Sequence, residues 1–151
     1  AVHSLSKRSN LAGYRAAFVV GDAQLIAQIL EVRKHAGMMV PLPVQKAMIA
    51  ALSDSEHVAQ QRARYNSRKD LLIPALEAAG FSIDFSDAGL YLWATRNEDC
   101  WQSVAWLASL GILATPGIFY GDATHIRIAM TATDEQISEA ASRITSKVGA
   151  Q

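Results

Sequence analysis

Lys7 stands in the run Ser4-Leu5-Ser6-Lys7-Arg8-Ser9-Asn10-Leu11-Ala12-Gly13-Tyr14-Arg15, whose residue types suit amine chemistry at a carbonyl. A lysine amine condenses with an aldehyde to give an imine, and an incoming amine can later displace it by exchange. A free lysine titrates near about 10.4, so the surroundings must favour the neutral amine before it can act at neutral pH. Ser4 precedes the lysine and Arg15 follows it. A hydroxyl and a planar guanidinium are the groups that grip a phosphate. Together the three could hold a phosphorylated aldehyde at both of its ends. Ser6 offers a second hydroxyl, which either joins the phosphate contacts or points away. Gly13 serves the backbone there, through a positive φ or a close approach. Arg8 reads as a surface or dimer-contact charge.

A second candidate is Arg127, set between Ile126 and Ile128. A guanidinium meets a carboxylate through two parallel hydrogen bonds, which fixes orientation as well as charge. The alternative is an edge-strand arginine facing water. Cys100 reads as a semi-buried structural thiol at a helix start, and as the only cysteine it excludes an internal disulfide. Neither His35 nor His125 belongs to a His/Cys/carboxylate spacing that would hold a metal. Arg62, Arg64, Arg68 and Lys69 read as a solvated helix face.

The elements that must position these groups follow from periodicity and punctuation. Ala1 to Ser4 reads as the end of a strand, and Ala16 to Val20 as a short buried strand stopped by Gly21. Asp22 caps a helix with Leu25, Ile26, Ile29 and Leu30 on its apolar face and Arg33, Lys34 and His35 in its last turn. Gly37 suits the αL exit, and Pro41 and Pro43 interrupt before a helix with Val44, Ala47, Met48, Ala51 and Leu52 along one side. Ser53-Asp54-Ser55 offers caps for a longer helix to Ala79, with Pro74 as a possible kink and Leu71, Leu72 and Leu76 toward the core. Phe81 to Phe85 and Leu90 to Ala94 are predicted strands, and Cys100 to Leu110 is a helix. Ile112 to Ala114 is a short apolar strand before a Thr115-Pro116-Gly117 turn, and His125 to Met130 is a strand. Thr133 and Gln136 form a capping-box pattern ahead of Ile137, Ala140, Ala141 and Ile144.

This order predicts a mixed chain: the end of a large α/β domain over residues 1–40, then an interdomain helix and a small α+β domain over 41–151. Lys+Arg and Asp+Glu both count 14, giving zero formal net charge. Nucleic acid and anionic membranes favour basic surfaces, so neither is expected as a principal partner. No apolar stretch is long enough to span a bilayer. A lone cysteine suits a reducing cytoplasm.

The run from Ser4 to Ala17 resembles the lysine signature of class I/II (fold type I) pyridoxal-phosphate aminotransferases. The likeness extends through Glu31-Val32-Arg33-Lys34-His35-Ala36-Gly37, Ala88-Gly89-Leu90-Tyr91-Leu92-Trp93-Ala94-Thr95 and Ala129-Met130-Thr131-Ala132-Thr133, and is greatest to actinobacterial N-succinyldiaminopimelate aminotransferases. It implies pyridoxal 5'-phosphate bound covalently to Lys7, with Ser4, Ser6 and Arg15 on the phosphate. It further implies Arg127 on the substrate α-carboxylate, glutamate as amino donor and N-succinyl-2-amino-6-oxopimelate as acceptor. Pro116-Gly117-Ile118-Phe119-Tyr120-Gly121 loosely resembles a family loop bordering the active site, which makes Phe119 and Tyr120 candidate substrate contacts.

In the family the lysine lies well past mid-chain, so this chain is expected to be the C-terminal part of a longer homodimeric enzyme. The acidic partner of the pyridine nitrogen, the ring-stacking aromatic and a phosphate-binding turn are then expected outside it, and the segment alone is expected to be inactive. Two other readings remain open: a fold type I β-lyase or synthase, and a non-catalytic sensor domain.

Overall fold

Ser4 ends one strand and caps the short helix that carries Lys7, so the first turn of chain is already arranged around the lysine. The computed structural model describes residues 1–150, which pack as two units, Ala1–Arg62 and Ala63–Gln151. That division falls at a different point from the 40/41 boundary expected for the whole enzyme.

In the first unit β1 (Val2–Ser4) pairs antiparallel with β2 (Ala17–Val19), which sets the His3 ring 5.2 Å from that of Phe18. β2 is shorter than predicted and largely exposed, with only Phe18 half-buried. Between the strands lie α1 (Leu5–Arg8) and a 3-10 turn at Ala12–Tyr14, after which Arg15 takes a left-handed φ of 51°. Asp22 caps α2 (Ala23–His35) as predicted, accepting from the Gln24 and Leu25 N–H groups at 3.0 Å each. The predicted apolar face of that helix is not buried: Leu25 is 59% exposed and Leu30 48%. Of that face only Ile26 is half-buried. The unit's small core is Leu5, Ala16 and Met48, the last from α3 (Leu42–Ser53). Pro43 falls in the first turn of α3, where its missing N–H leaves no helical acceptor unpaired.

α4 (Glu56–Ala78) starts in the first unit and runs on into the second, with Pro74 inside it. Asp54 caps it, accepting from the Glu56 N–H at 2.8 Å. The second unit is a four-stranded antiparallel sheet in the order β3 (Ser82–Asp84), β4 (Tyr91–Thr95), β6 (His125–Ala129), β5 (Thr115–Pro116). Helices α4, α5 (Cys100–Ser109) and α6 (Asp134–Gly149) supply Leu72, Leu76, Leu107, Ile137 and Ile144 to one core with Leu92, Ala94, Ile126 and Ile128 of the sheet. Side chains alternate along strands, so Tyr91, Trp93, His125 and Arg127 stand on the opposite, partly open face. The register sets Trp93 opposite Arg127 and Thr95 opposite His125.

Two expectations in this unit are corrected. Ile112 to Ala114 is not a strand; the edge strand is the two-residue β5, and Gly117–Tyr120 follows it as a 3-10 turn. Pro116 cannot donate to a ladder, which keeps that edge short. Arg68 is not on a solvated face: it is 8% exposed, with Nη1 donating to the Met130 carbonyl and Nε to Asp134, both at 2.7 Å. Cys100 is buried at the first position of α5.

Candidate functional site

In the first unit the lysine turn is built by side chains on either side of Lys7. Ser4 Oγ accepts from the Ser6 N–H at 3.1 Å and lies 2.8 Å from Ser6 Oγ, so the two hydroxyls face one another. Lys7 is exposed, and among the described residues its Nζ has no hydrogen bond or ion pair. Arg15 is exposed too, and Nη1 donates to the Ala12 carbonyl at 3.0 Å, with no carboxylate partner among the described residues. No hydrogen bond joins Arg15 to Ser4, Ser6 or Lys7. Arg8, read from the sequence as a surface charge, has its Nη1 buried and without a partner.

One tie to this turn escaped the sequence reading. His57 Nε2 lies 3.0 Å from Ser9 Oγ while its Nδ1 lies 2.9 Å from Asp54 Oδ2. The start of α4 is thereby linked to the residues just after Lys7. Asp54 is held below the usual carboxylate range, first by the Glu56 backbone N–H and then by His57. Ser9 and His57 are far apart in sequence, and no local pattern joins them.

In the second unit Arg127 stands on the open face of the sheet. Its Cζ lies 4.3 Å from the Tyr91 ring centroid and 4.8 Å from that of Tyr120. Its Nε is buried without a hydrogen-bond partner, and no described residue forms an ion pair with the guanidinium. A charged group with unused donors, packed on aromatic rings, is arranged to receive an anion. Of the two loop aromatics, Tyr120 joins Arg127, whereas Phe119 packs edge-on against Trp101 at 5.9 Å.

The sequence marks His125 only as a strand residue. It stacks on Trp93 at 5.2 Å with the rings 6° from parallel, and its Nε2 and Nδ1 lie 3.1 and 2.8 Å from Asp84 Oδ2 and Asp122 Oδ2. Burial pushes its pKa down, but the bonds to Asp84 and Asp122 and their charge outweigh this and raise it. Asp122 is lowered to about 2, first by the Thr124 backbone N–H and then by the Thr124 hydroxyl.

On the core-side flank of the same unit a cavity of about 500 Å³ is lined by Ile112, Ile128 and Ile137. Its one arginine, Arg143, is already engaged by Glu139 and the Leu110 carbonyl. Among the described residues no group of three His, Cys, Asp or Glu side chains is placed to hold a metal. No described helix is long and apolar enough to cross a membrane.

Residues 1–144 match the profile of the family described as aminotransferase class I and II. The Mycobacterium tuberculosis (strain H37Rv) protein named "Probable aminotransferase Rv1178" is 63% identical over 147 residues, covering 96% of this chain and 35% of that protein. The 4-dedimethylamino-4-oxo-anhydrotetracycline transaminase OxyQ of Streptomyces rimosus is 60% identical over 147 residues, covering 96% of this chain and 41% of OxyQ. More distant relatives are named LL-diaminopimelate aminotransferase, that of Dehalococcoides mccartyi being 34% identical over 94% of this chain and 38% of its own. Among solved structures, an aminotransferase from Neisseria meningitidis superposes with a TM-score of 0.85 at 33% identity, over 97% of this chain and 40% of that one. The chain therefore spans about two fifths of the length of the proteins it matches.

Proposed function

The chain belongs to the class I and II aminotransferases, a family of pyridoxal-phosphate enzymes, and from that premise we propose that the polypeptide carrying it transfers an amino group from glutamate to an oxo acid. The observation that carries this reading is the unpaired Lys7 amine on a turn whose neighbouring hydroxyls, Ser4 and Ser6, face each other. These residues fit the cofactor. Lys7 Nζ would hold its aldehyde, and Ser4, Ser6 and the carboxylate-free Arg15 its phosphate. Pyridoxal phosphate supplies the carbonyl that carries the amino group and the ring that takes up electrons.

The chain's own residues then have distinct tasks. Arg127 orients the substrate by its α-carboxylate, with donors that no described residue uses. Lys7 Nζ, as a free amine, would take the proton from the substrate α-carbon and give it to the cofactor's former aldehyde carbon. The remainder of the polypeptide and a second subunit supply the groups at the pyridine nitrogen and ring. The same remainder covers the exposed apolar side chains of the first unit, Leu25, Leu30, Met38 and Met39 among them. A single buried thiol suits a reducing cytoplasm, and the family resemblance favours a homodimer.

For the acceptor we favour N-succinyl-2-amino-6-oxopimelate, supported by the segmental likeness to N-succinyldiaminopimelate aminotransferases and by the more distant diaminopimelate-named relatives. The 60% identity to OxyQ favours a second acceptor, a polycyclic ketone without an α-carboxylate. Glutamate added to the full-length holoenzyme should bleach the cofactor's absorbance and release 2-oxoglutarate. Elimination or decarboxylation products in place of 2-oxoglutarate would mean a lyase or synthase instead. Offering both acceptors to the amino-loaded enzyme then separates the two substrate readings.

A further inference from the structure

Arg127 is held by a chain of contacts that starts at His125. The imidazole lies flat on Trp93 and has a carboxylate at each ring nitrogen, Asp84 from β3 and Asp122 from the turn ahead of β6. Only the imidazolium donates at both nitrogens. Asp122 also gathers its own turn: Oδ1 accepts from the Thr124 N–H at 2.8 Å and from the His125 N–H at 3.2 Å. The Asp122 N–H in turn donates to the Gly117 carbonyl at 3.1 Å. At Gly117 a Cβ would lie 2.3 Å from the His125 carbonyl oxygen and 2.6 Å from that of Asp122, so the loop closes on itself only with glycine there.

The loop so fastened carries Tyr120. Its ring meets Trp93 edge-on at 6.0 Å, and the guanidinium of Arg127 lies over it. His125, Trp93, Tyr120 and Arg127 thus form one continuous set of contacts on the open face of the sheet. We propose that His125 and Tyr120 are positioning residues for Arg127: the imidazole fastens the 117–124 loop to the sheet, and the loop holds the tyrosine ring against the guanidinium. A guanidinium held in one place before the substrate arrives loses less freedom on binding a carboxylate. The inference rests on the reading that Arg127 receives the substrate α-carboxylate.

The charged groups facing His125 are Asp84 and Asp122, with Arg127 two residues along the same strand face. Both carboxylates favour the imidazolium, so the fastening is complete while they are ionised and the imidazole is protonated, and loosens as rising pH takes the imidazole's proton.

The test uses the full-length holoenzyme with glutamate, and glutarate as a carboxylate probe that cannot react. His125→Asn and Tyr120→Ala should each raise the KM for glutamate about tenfold with kcat changed by less than about threefold. Tyr120→Phe, which keeps the ring, should restore the wild-type KM, and the cofactor's absorbance should be unaltered in all three. Arg127→Lys is measured alongside. If its KM rises while those of His125→Asn and Tyr120→Ala stay at the wild-type value, the positioning role is wrong and the carboxylate reading stands. If the Arg127→Lys KM is itself unchanged, both fall. Should a variant fail to fold, Asp84→Asn, which removes one carboxylate of the bridge, takes its place: as pH rises above 6.5 the wild-type glutarate Ki should climb more steeply than that of Asp84→Asn. Equal slopes overturn the role.

Discussion

An imidazole between two carboxylates makes stability depend on pH in a direction that can be worked out. The folded pKa of His125 lies above its ordinary 6.5, so its stabilisation is complete below that value and is lost as pH rises through the folded pKa. Asp122, lowered from 3.8 to about 2, contributes above 3.8 and loses that contribution as pH falls toward its folded value. Thermal unfolding of the wild type and of His125→Asn across this range should show the wild-type advantage shrinking on the alkaline side. An advantage independent of pH would contradict the bridge. Arg68 makes a second prediction. Asp134→Asn weakens the ion pair between a nearly buried guanidinium and a carboxylate that is itself 60% exposed, and should cost about 0.5–1 kcal/mol in urea unfolding. An unchanged midpoint would mean that the Met130 carbonyl and the packing suffice.

Among the elements, the 117–124 loop is closed by the Asp122 hydrogen bonds and by the absence of a side chain at Gly117. Gly117→Ala forces a Cβ into two backbone carbonyls and should destabilise the second unit by about 1–3 kcal/mol, measured by the loss of helical circular dichroism on heating. Local signals were legible in the sequence. Asp22 and the Thr133/Gln136 capping box start their helices, and the alternation in His125 to Ala129 places Ile126 and Ile128 inside with Arg127 outside. What could not be read depends on partners distant in the chain. Arg68 looks like one charge in a basic run until Asp134 and Met130 come to meet it. His57 and Ser9 are joined only by folding. The apolar stripe of α2 reads as core, yet Leu25, Ile29 and Leu30 stay exposed. The residue types of the lysine turn are visible in the sequence, but the facing hydroxyls of Ser4 and Ser6 needed coordinates.

At the scale of the whole molecule, the two units are parts of something longer in every relative described, each more than twice as long as this chain. Exposed Leu25, Leu30, Met38 and Met39 would cost stability in water, at roughly 25 cal/mol per Å² left uncovered. Residues 1–151 expressed alone should bind a hydrophobic dye that the full-length polypeptide does not, and equal binding would argue against cover by the remainder. The proposed chemistry comes down to a single nitrogen. Borohydride reduction of the full-length holoenzyme, followed by peptide mass mapping, should leave the pyridoxyl mass on the peptide containing Lys7. The same mass on Lys34, Lys46, Lys69 or Lys147, on a lysine outside this chain, or on none, would contradict the account.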